Sequence, residues 1–264
     1  MDILRLIVVA LGAMTGGAVN SVAGGGTVFN FTGLVAYGLP TVNANATNAT
    51  SLAPGSLGAA VAMRHELRGQ LRTLLILLVP TMIGSLLGAF VVANLPELIF
   101  RRAVPFLVLF ATVVFALRNR LTRWAKRHES AANPAGVREI TPLGYALGAG
   151  LQFMISFYGG YFGAGIGILM LTSLSVIGMT SIHKMNAIKN LLAVVINGTS
   201  TVYFIRQGLV AWPIVLYAAV FAIVGGYGLG RYARRINPEH MRWGVVVAGI
   251  VVSIWMFVRS YLLT

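Results

Sequence analysis

The chain contains no cysteine, which excludes disulfide bonds and thiol chemistry. Acids are almost as scarce. Asp2, Glu66, Glu97, Glu129, Glu139 and Glu239 are all six of them, and each lies at the end of an apolar run or between runs. Sodium and proton carriers usually keep an Asp or Glu at depth in the membrane, so a chain without one suits an anion better. The four histidines, His65, His128, His183 and His240, show no metal-ligand spacing. There is no H-E-x-x-H, Walker A or G-x-S-x-G motif. Neither an enzyme nor a bound metal or cofactor is expected. Charge as a whole is rare, at 10% of residues against roughly a quarter in soluble domains.

What fills the chain instead is apolar: 57% of its 264 residues, with a mean hydropathy of +0.82. So few charges do not cover so much apolar surface in water, so the solvent is lipid. The net charge of +14 comes from 20 Lys and Arg. They stand mainly between apolar runs, where they orient a membrane protein and meet anionic lipid rather than nucleic acid. The N-terminal run carries Asp2 and no clean A-x-A site follows, so it is expected to be a retained span rather than a cleaved signal.

Long apolar runs fall at about 3–22, 44–63, 73–94, 103–117, 140–160, 187–205, 210–230 and 243–261. Most approach the ~20 residues that a helix needs to cross the hydrocarbon core. Two shorter stretches, Thr27–Tyr37 and Ile166–Ile177, make helices under ~20 Å long, which suits half-helices or re-entrant segments. The plan is stated twice. "SVAGGGTVF" from Ser21 aligns with "FGAGIGILM" from Phe162, matching Gly24 to Gly165 and Gly26 to Gly167. "LGAFVVANLPE" ending at Glu97 aligns with "LGRYARRINPE" ending at Glu239, at a spacing that stays near 141 residues. We therefore expect an all-α polytopic membrane protein of two repeats, 1–118 and 140–264. Each has about four full spans and one short broken helix, and a basic cytoplasmic linker over 119–139 joins them.

Charge counting weighs two topologies; if the short stretches do not cross and the N-terminus is cytoplasmic, 12 basic residues face in and 7 face out. If each short stretch crosses, alone or with its neighbour, and the N-terminus is outside, 14 basic residues face the cytoplasm. Five, Arg5, Arg101, Arg102, Arg206 and Arg259, face out, with Lys189 set aside as intramembrane. The positive-inside rule prefers this arrangement, which makes the repeats inverted, as in many secondary transporters.

The candidate site follows from the helix breaks. Gly24, Gly25 and Gly26, and in the second copy Gly165 to Gly167, let the backbone leave helical geometry and bring N–H groups near a ligand. The helix that starts after each break offers unpaired N–H groups and a positive dipole end, which attract an anion. Close helix packing is the competing use of such glycines. "NANATNATS" adds Asn45, Thr47 and Asn48, and "HKMNAIKN" adds Asn186, Lys189 and Asn190. Asn45 and Asn48 share a helix face, as do Asn186, Lys189 and Asn190; capping and interhelical hydrogen bonding are their alternative uses. Lys189 sits a turn inside an apolar helix, where a charge is a functional candidate unless it snorkels to the interface.

The stretch "GGAVNSVAGGGTVFNFTGLVAYGLPTVNANATNATSLAPGSLGAA" resembles the N-terminal signature of the TauE/SafE family of sulfite and organosulfur anion transporters. "GGYFGAGIGILMLTSLSVIGMTSIHKMNAIKNLLAVVINGTSTVYFIRQGLVAW" resembles the matching second half, so the similarity covers nearly the whole chain. The resemblance implies a multi-pass bacterial inner-membrane carrier of sulfite, sulfonates or related anions. Its partners would be a small anion and membrane lipid, with association of two copies left open. A channel-like anion pathway and a non-transporting scaffold are the alternatives.

Overall fold

The computed structural model describes residues 3–22, 25–132, 142–179, 181–229 and 238–262, and every element among them is helical. In chain order these are α1 (Ile3–Val22), α2 (Thr27–Tyr37), α3 (Thr41–Ala62), α4 (Leu71–Asn94) and α5 (Glu97–Ala132). There follow α6 (Pro142–Tyr161), α7 (Ile166–Val176), α8 (Ile182–Arg206), α9 (Trp212–Val224) and α10 (Pro238–Tyr261). A 3-10 turn, Arg64–Leu67, joins α3 to α4, and a π-helical segment, Gly225–Leu229, extends α9. This is an all-helical polytopic membrane protein. Five stretches, in α1, α4, α5, α8 and α10, are long and apolar enough to cross a bilayer. The middle of α3 is too rich in Asn, Thr and Ser to score as one.

The basic segment expected to be a linker starts as helix. Residues 119–132 contain neither Gly nor Pro, and α5 is described as helix through to Ala132. Residues 133–141 lie outside the described set.

The helices are inside-out by the standard of a soluble protein. On α4, Val79, Met82, Ile83, Leu86 and Phe90 are exposed, while Thr81, Gly84, Ser85 and Gly88 are buried. Large apolar side chains face lipid, and small or polar ones mediate contact between helices. A methyl group at Gly84 would lie 2.5 Å from the Phe153 carbonyl oxygen of α6, and one at Gly88 or Gly160 would overlap a carbonyl of the partner helix. Hydroxyls and one amide close the same interface. Gln152 Nε2 donates to Thr81 Oγ1 and to Ser156 Oγ, each at 3.0 Å, and Ser85 Oγ lies 2.5 Å from Thr199 Oγ1 of α8.

The ends of the helices sort onto two faces. Arg259 donates to the Val35 carbonyl at 3.1 Å, Ser260 to that of Arg101 at 3.2 Å, and Asn43 to that of Leu209 at 3.1 Å. On this side the Glu97 carboxylate caps α3, accepting from Thr41 N at 2.5 Å, Thr41 Oγ1 at 2.7 Å and Val42 N at 3.2 Å. Arg5 lies beside Gly38 there, so we term it the N-terminal face. On the opposite side Thr73 Oγ1 is 3.3 Å from the Tyr145 hydroxyl, Arg72 covers the Tyr145 ring, and Gly148 meets Ile177. That side carries Arg64, Arg68, Arg72, Arg118, Arg120, Lys184 and Arg242, and we term it the basic face.

Matched helices run in opposite senses between these faces. α3 and α8 are antiparallel: Thr50 Oγ1 lies 3.4 Å from Thr201 Oγ1, Asn197 Nδ2 donates to Ser56 Oγ at 3.0 Å, and Asn190 Nδ2 reaches Met63 Sδ at 3.3 Å. α2 folds back on α1 to the N-terminal face, and α7 folds back on α6 to the basic face. The contacts α4–α6 and α4–α8 in one direction correspond to α9–α1 and α9–α3 in the other, while α3–α8 and α5–α10 correspond to themselves.

Because α4 and α6 meet backbone to backbone, Gly160→Ala is expected to lower stability by about 1–3 kcal/mol through overpacking. A drop in the detergent-solubilised melting temperature checks this, and an unchanged melt would show that the two helices separate without cost.

Candidate functional site

The two short helices are half-length by necessity. Eleven residues at 1.5 Å each span about 16 Å, so a helix that starts mid-membrane reaches only one face. Both end in the same turn: the backbone N–H of Leu39 donates to the Leu34 carbonyl at 3.3 Å, and that of Met179 to Leu174 at 3.0 Å. Their N-terminal ends lie in the interior and border one shared cavity of about 940 Å³. Gly25 and Thr27 represent α2 there, and Gly165, Ile166 and Gly167 represent α7.

The residue that precedes α2 is Gly26 and the residue that precedes α7 is Gly165. The backbone of Gly163 and Gly165 is left-handed (φ +79° at both), which only glycine adopts without strain, so the second break is made by these two. Gly167 is already the second residue of α7. Tyr158 pins the break by donating its hydroxyl to the Ala164 carbonyl at 2.9 Å. Gly26 does not line the cavity; it packs on α1, where a methyl would overlap the Gly16 carbonyl. Gly24 lies outside the described residues.

The predicted polar residues divide. Asn45, Asn48, Lys189 and Asn190 line the cavity, whereas Thr47 and Asn186 do not. Thr47 is fully buried and its hydroxyl accepts from Ala211 N at 3.1 Å, which ties α3 to the start of α9. Asn186 donates to the Ile182 carbonyl at 2.9 Å, and its Oδ1 accepts from Lys189 Nζ at 3.2 Å. It holds the lysine rather than meeting the space itself. Asn45 Nδ2 donates to the Tyr161 carbonyl at 3.0 Å and satisfies the C-terminus of α6 where the helix stops.

Lys189 brings the positive charge. Its aliphatic stem lies over Gly167, 3.6 Å from the position a methyl would take there. Arg118 is close enough to oppose the Lys189 charge, and Arg242, which is paired with Glu239, to oppose that of Arg118. Among the described residues no carboxylate lines the space.

Asn30 was not expected from the sequence. It is fully buried on α2, and its Nδ2 donates to Asn48 Oδ1 at 2.8 Å and to Ser51 Oγ at 2.9 Å. An amide oxygen that is already occupied turns the NH₂ of Asn48 the other way, and Asn48 borders the cavity. Within the pair it is the Asn48 NH₂ that remains to donate, while the buried Asn30 Oδ1 has no partner among the described residues. Ser56 and Asn197 were also missed, although with Asn48 and Asn190 they complete small-polar stripes at helical spacing along α3 and α8.

A model of the sulfite exporter TauE/SafE family matches residues 8–256. The chain belongs to that family. It is 26% identical to the probable membrane transporter protein YfcA of Escherichia coli K12 over 249 residues, 94% of this chain and 88% of that protein. A probable membrane transporter protein of Haemophilus influenzae is 24% identical over 78% of this chain and 76% of its own length. A third, ORF9 of a Sinorhizobium species, is 23% identical over 92% and 88%. No solved structure matches the chain. The protein is thus a multi-pass membrane transporter of the TauE/SafE family.

If Asn30 orients Asn48, Asn30→Asp removes the donor and leaves a carboxylate that draws the Asn48 NH₂ away from the cavity. Anion affinity is expected to fall about tenfold, the scale of one lost hydrogen bond to a charged group, while Asn30→Gln retains part of it. Titration of the purified variants reads this directly, and equal affinities in all three proteins would remove Asn30 from the site.

Proposed function

We propose that the protein is a secondary transporter of small anions, with sulfite, sulfonates or related organosulfur anions as the substrate class, across the bacterial inner membrane. One observation carries this reading: the N-terminal ends of α2 and α7, the Asn48 amide and Lys189 border a single cavity that no carboxylate lines among the described residues. Helix N-termini favour negative charge through unpaired N–H groups and the helix dipole. Placing two of them at one mid-membrane cavity is the arrangement by which broken-helix transporters hold anionic groups. The family membership supports transport, and the names of the relatives leave the anion open.

In this reading Gly25, Gly165 and Gly167 give the anion close access to backbone, Asn45, Asn48 and Asn190 offer amides, and Lys189 is the counter-charge. Gly26, Thr47 and Asn186 support the site from behind. The two halves are inverted repeats, and access alternates between the faces. In the state described, Asn45 latches α6 on the N-terminal side, while Asn186, which stands 141 residues later, turns back onto its own helix. The lining residues Ala59, Ala62 and Tyr227 are exposed toward the basic face, so this is the state open to the cytoplasm.

Two measurements test the reading. In proteoliposomes, Lys189→Gln is expected to cut anion uptake at least tenfold with the folded protein retained; unchanged uptake would exclude the lysine from the mechanism. The natural absence of cysteine makes topology directly readable. His65→Cys is expected to react with a membrane-impermeant maleimide only from the cytoplasmic side and Gln207→Cys only from the other, and the reverse pattern would invert the assigned orientation.

A further inference from the structure

The two halves meet the cavity with different charges at corresponding positions. Lys189 of α8 stands 141 residues after Asn48 of α3, and the same separation joins Ser56 to Asn197 directly across these two helices. Each member of the pair meets the short helix of its own half near that helix's start. The Lys189 stem lies over Gly167 of α7, and Asn48 is bonded to Asn30 of α2. The second half thus brings a fixed cation to the site, and the first half brings none.

What the first half brings instead is oxygen. Asn48 Oδ1 and Ser51 Oγ both face Asn30, at 2.8 and 2.9 Å from its Nδ2. Neither has a proton to give there. The Ser51 hydroxyl donates its proton to the Asn48 carbonyl at 3.0 Å, and an amide oxygen only accepts. The Asn30 NH₂ serves both, which leaves its own Oδ1 buried with no hydrogen-bond partner among the described residues. Asn30 is 0% exposed, and Asn48 and Ser51 are 2% exposed each. Bulk water does not make up the loss, and a buried acceptor without a partner is costly. A half-turn of the Asn30 amide, which is a soft rotation, puts Oδ1 where Nδ2 stands. Three oxygens then converge, an arrangement that repels unless a positive ion lies among them. Asn48 and Ser51 border the cavity, so such an ion has a way in.

We infer that a small monovalent cation of the sodium type binds among Asn30 Oδ1, Asn48 Oδ1 and Ser51 Oγ together with the anion, as the first half's counterpart of the Lys189 ammonium. The inference rests on the anion reading above. Neutral oxygens suit a hard cation, and no carboxylate lines the cavity among the described residues. The charge that offsets the cation is therefore that of the anion itself. Two positive charges on one ion would find too little compensation there, which selects a monovalent ion. Asn48 keeps its NH₂ for the anion while its oxygen meets the cation. Each ion raises the affinity of the other by the same factor. The scarcity of acids, which argues against a carrier of sodium alone, is compatible with sodium bound beside an anion.

The test is calorimetric titration of the purified protein with sulfite, methanesulfonate and thiosulfate at fixed pH and ionic strength, in sodium chloride and in choline chloride. Anion affinity is expected to be about tenfold higher in sodium, within the usual range for coupled sites. The sodium concentration that gives half of this effect is expected to rise in Ser51→Ala. Asn48→Lys supplies the missing ammonium, so its anion affinity is expected to be the same in both salts. Ser51→Ala removes a single oxygen and decides the location even if Asn48→Lys binds no anion. Equal affinity of the unmodified protein in both salts would overturn the cation site and leave the anion site standing. A sodium effect that persists undiminished in Ser51→Ala would place the cation elsewhere and overturn the assignment as well. If no anion binds the unmodified protein in either salt, the anion reading falls and this inference falls with it.

Discussion

A backbone that leaves helical geometry inside a bilayer has no water to satisfy its N–H and C=O groups. Everything specific about this protein follows from how it meets that constraint at two places. Each broken end is packed against protein, and the carbonyls of the second break are given explicit partners. Asn45 serves the Tyr161 carbonyl, Tyr158 serves Ala164, and Gly26 rests directly on α1. The amide side is treated differently. The starts of α2 and α7 are brought together at a cavity, where Gly25 N already donates to Asn20 Oδ1 at 3.4 Å.

Small residues make the enclosure feasible. Lipid-facing positions carry the bulk, while α1, α4, α6 and α9 approach so closely that glycine is the residue their contacts admit. Between these close contacts, hydroxyls and the Gln152 amide lock α4, α6 and α8 into one polar seam. In hydrocarbon, where apolar burial between helices gains little, such a seam fixes helix position better than further leucines would. The rigid frame that results is what allows α3 and α8 to carry a polar stripe without losing their place.

Much of this was legible in the sequence because it depends on composition and order. Scarce charge, two short stretches and two glycine clusters identified a membrane protein with paired broken helices. Many of the basic residues could be placed near helix ends from the sequence because apolar runs exclude them. Which glycine ends each break was harder to read: Gly26 directly precedes α2 and Gly165 directly precedes α7. Thr47 and Asn186 showed the limit of face assignment. A polar side chain on the right helix turns away when a backbone group or a neighbouring lysine is a nearer partner. Asn30 was hidden for a related reason: its importance lies in the contact with Asn48, and no periodicity within α2 announces a partner 18 residues away.

The hydrogen bond between Asn197 and Ser56 joins residues 141 apart, the same separation that relates Asn45 to Asn186 and Asn48 to Lys189. Most contacts in the bundle have a distinct counterpart elsewhere, and trading the conformations of the two halves would break one and make the other. A contact between corresponding positions is its own counterpart. In the reading proposed above, such an exchange would return it to itself, so α3 and α8 would keep this contact, a fulcrum at mid-membrane, while either end opens.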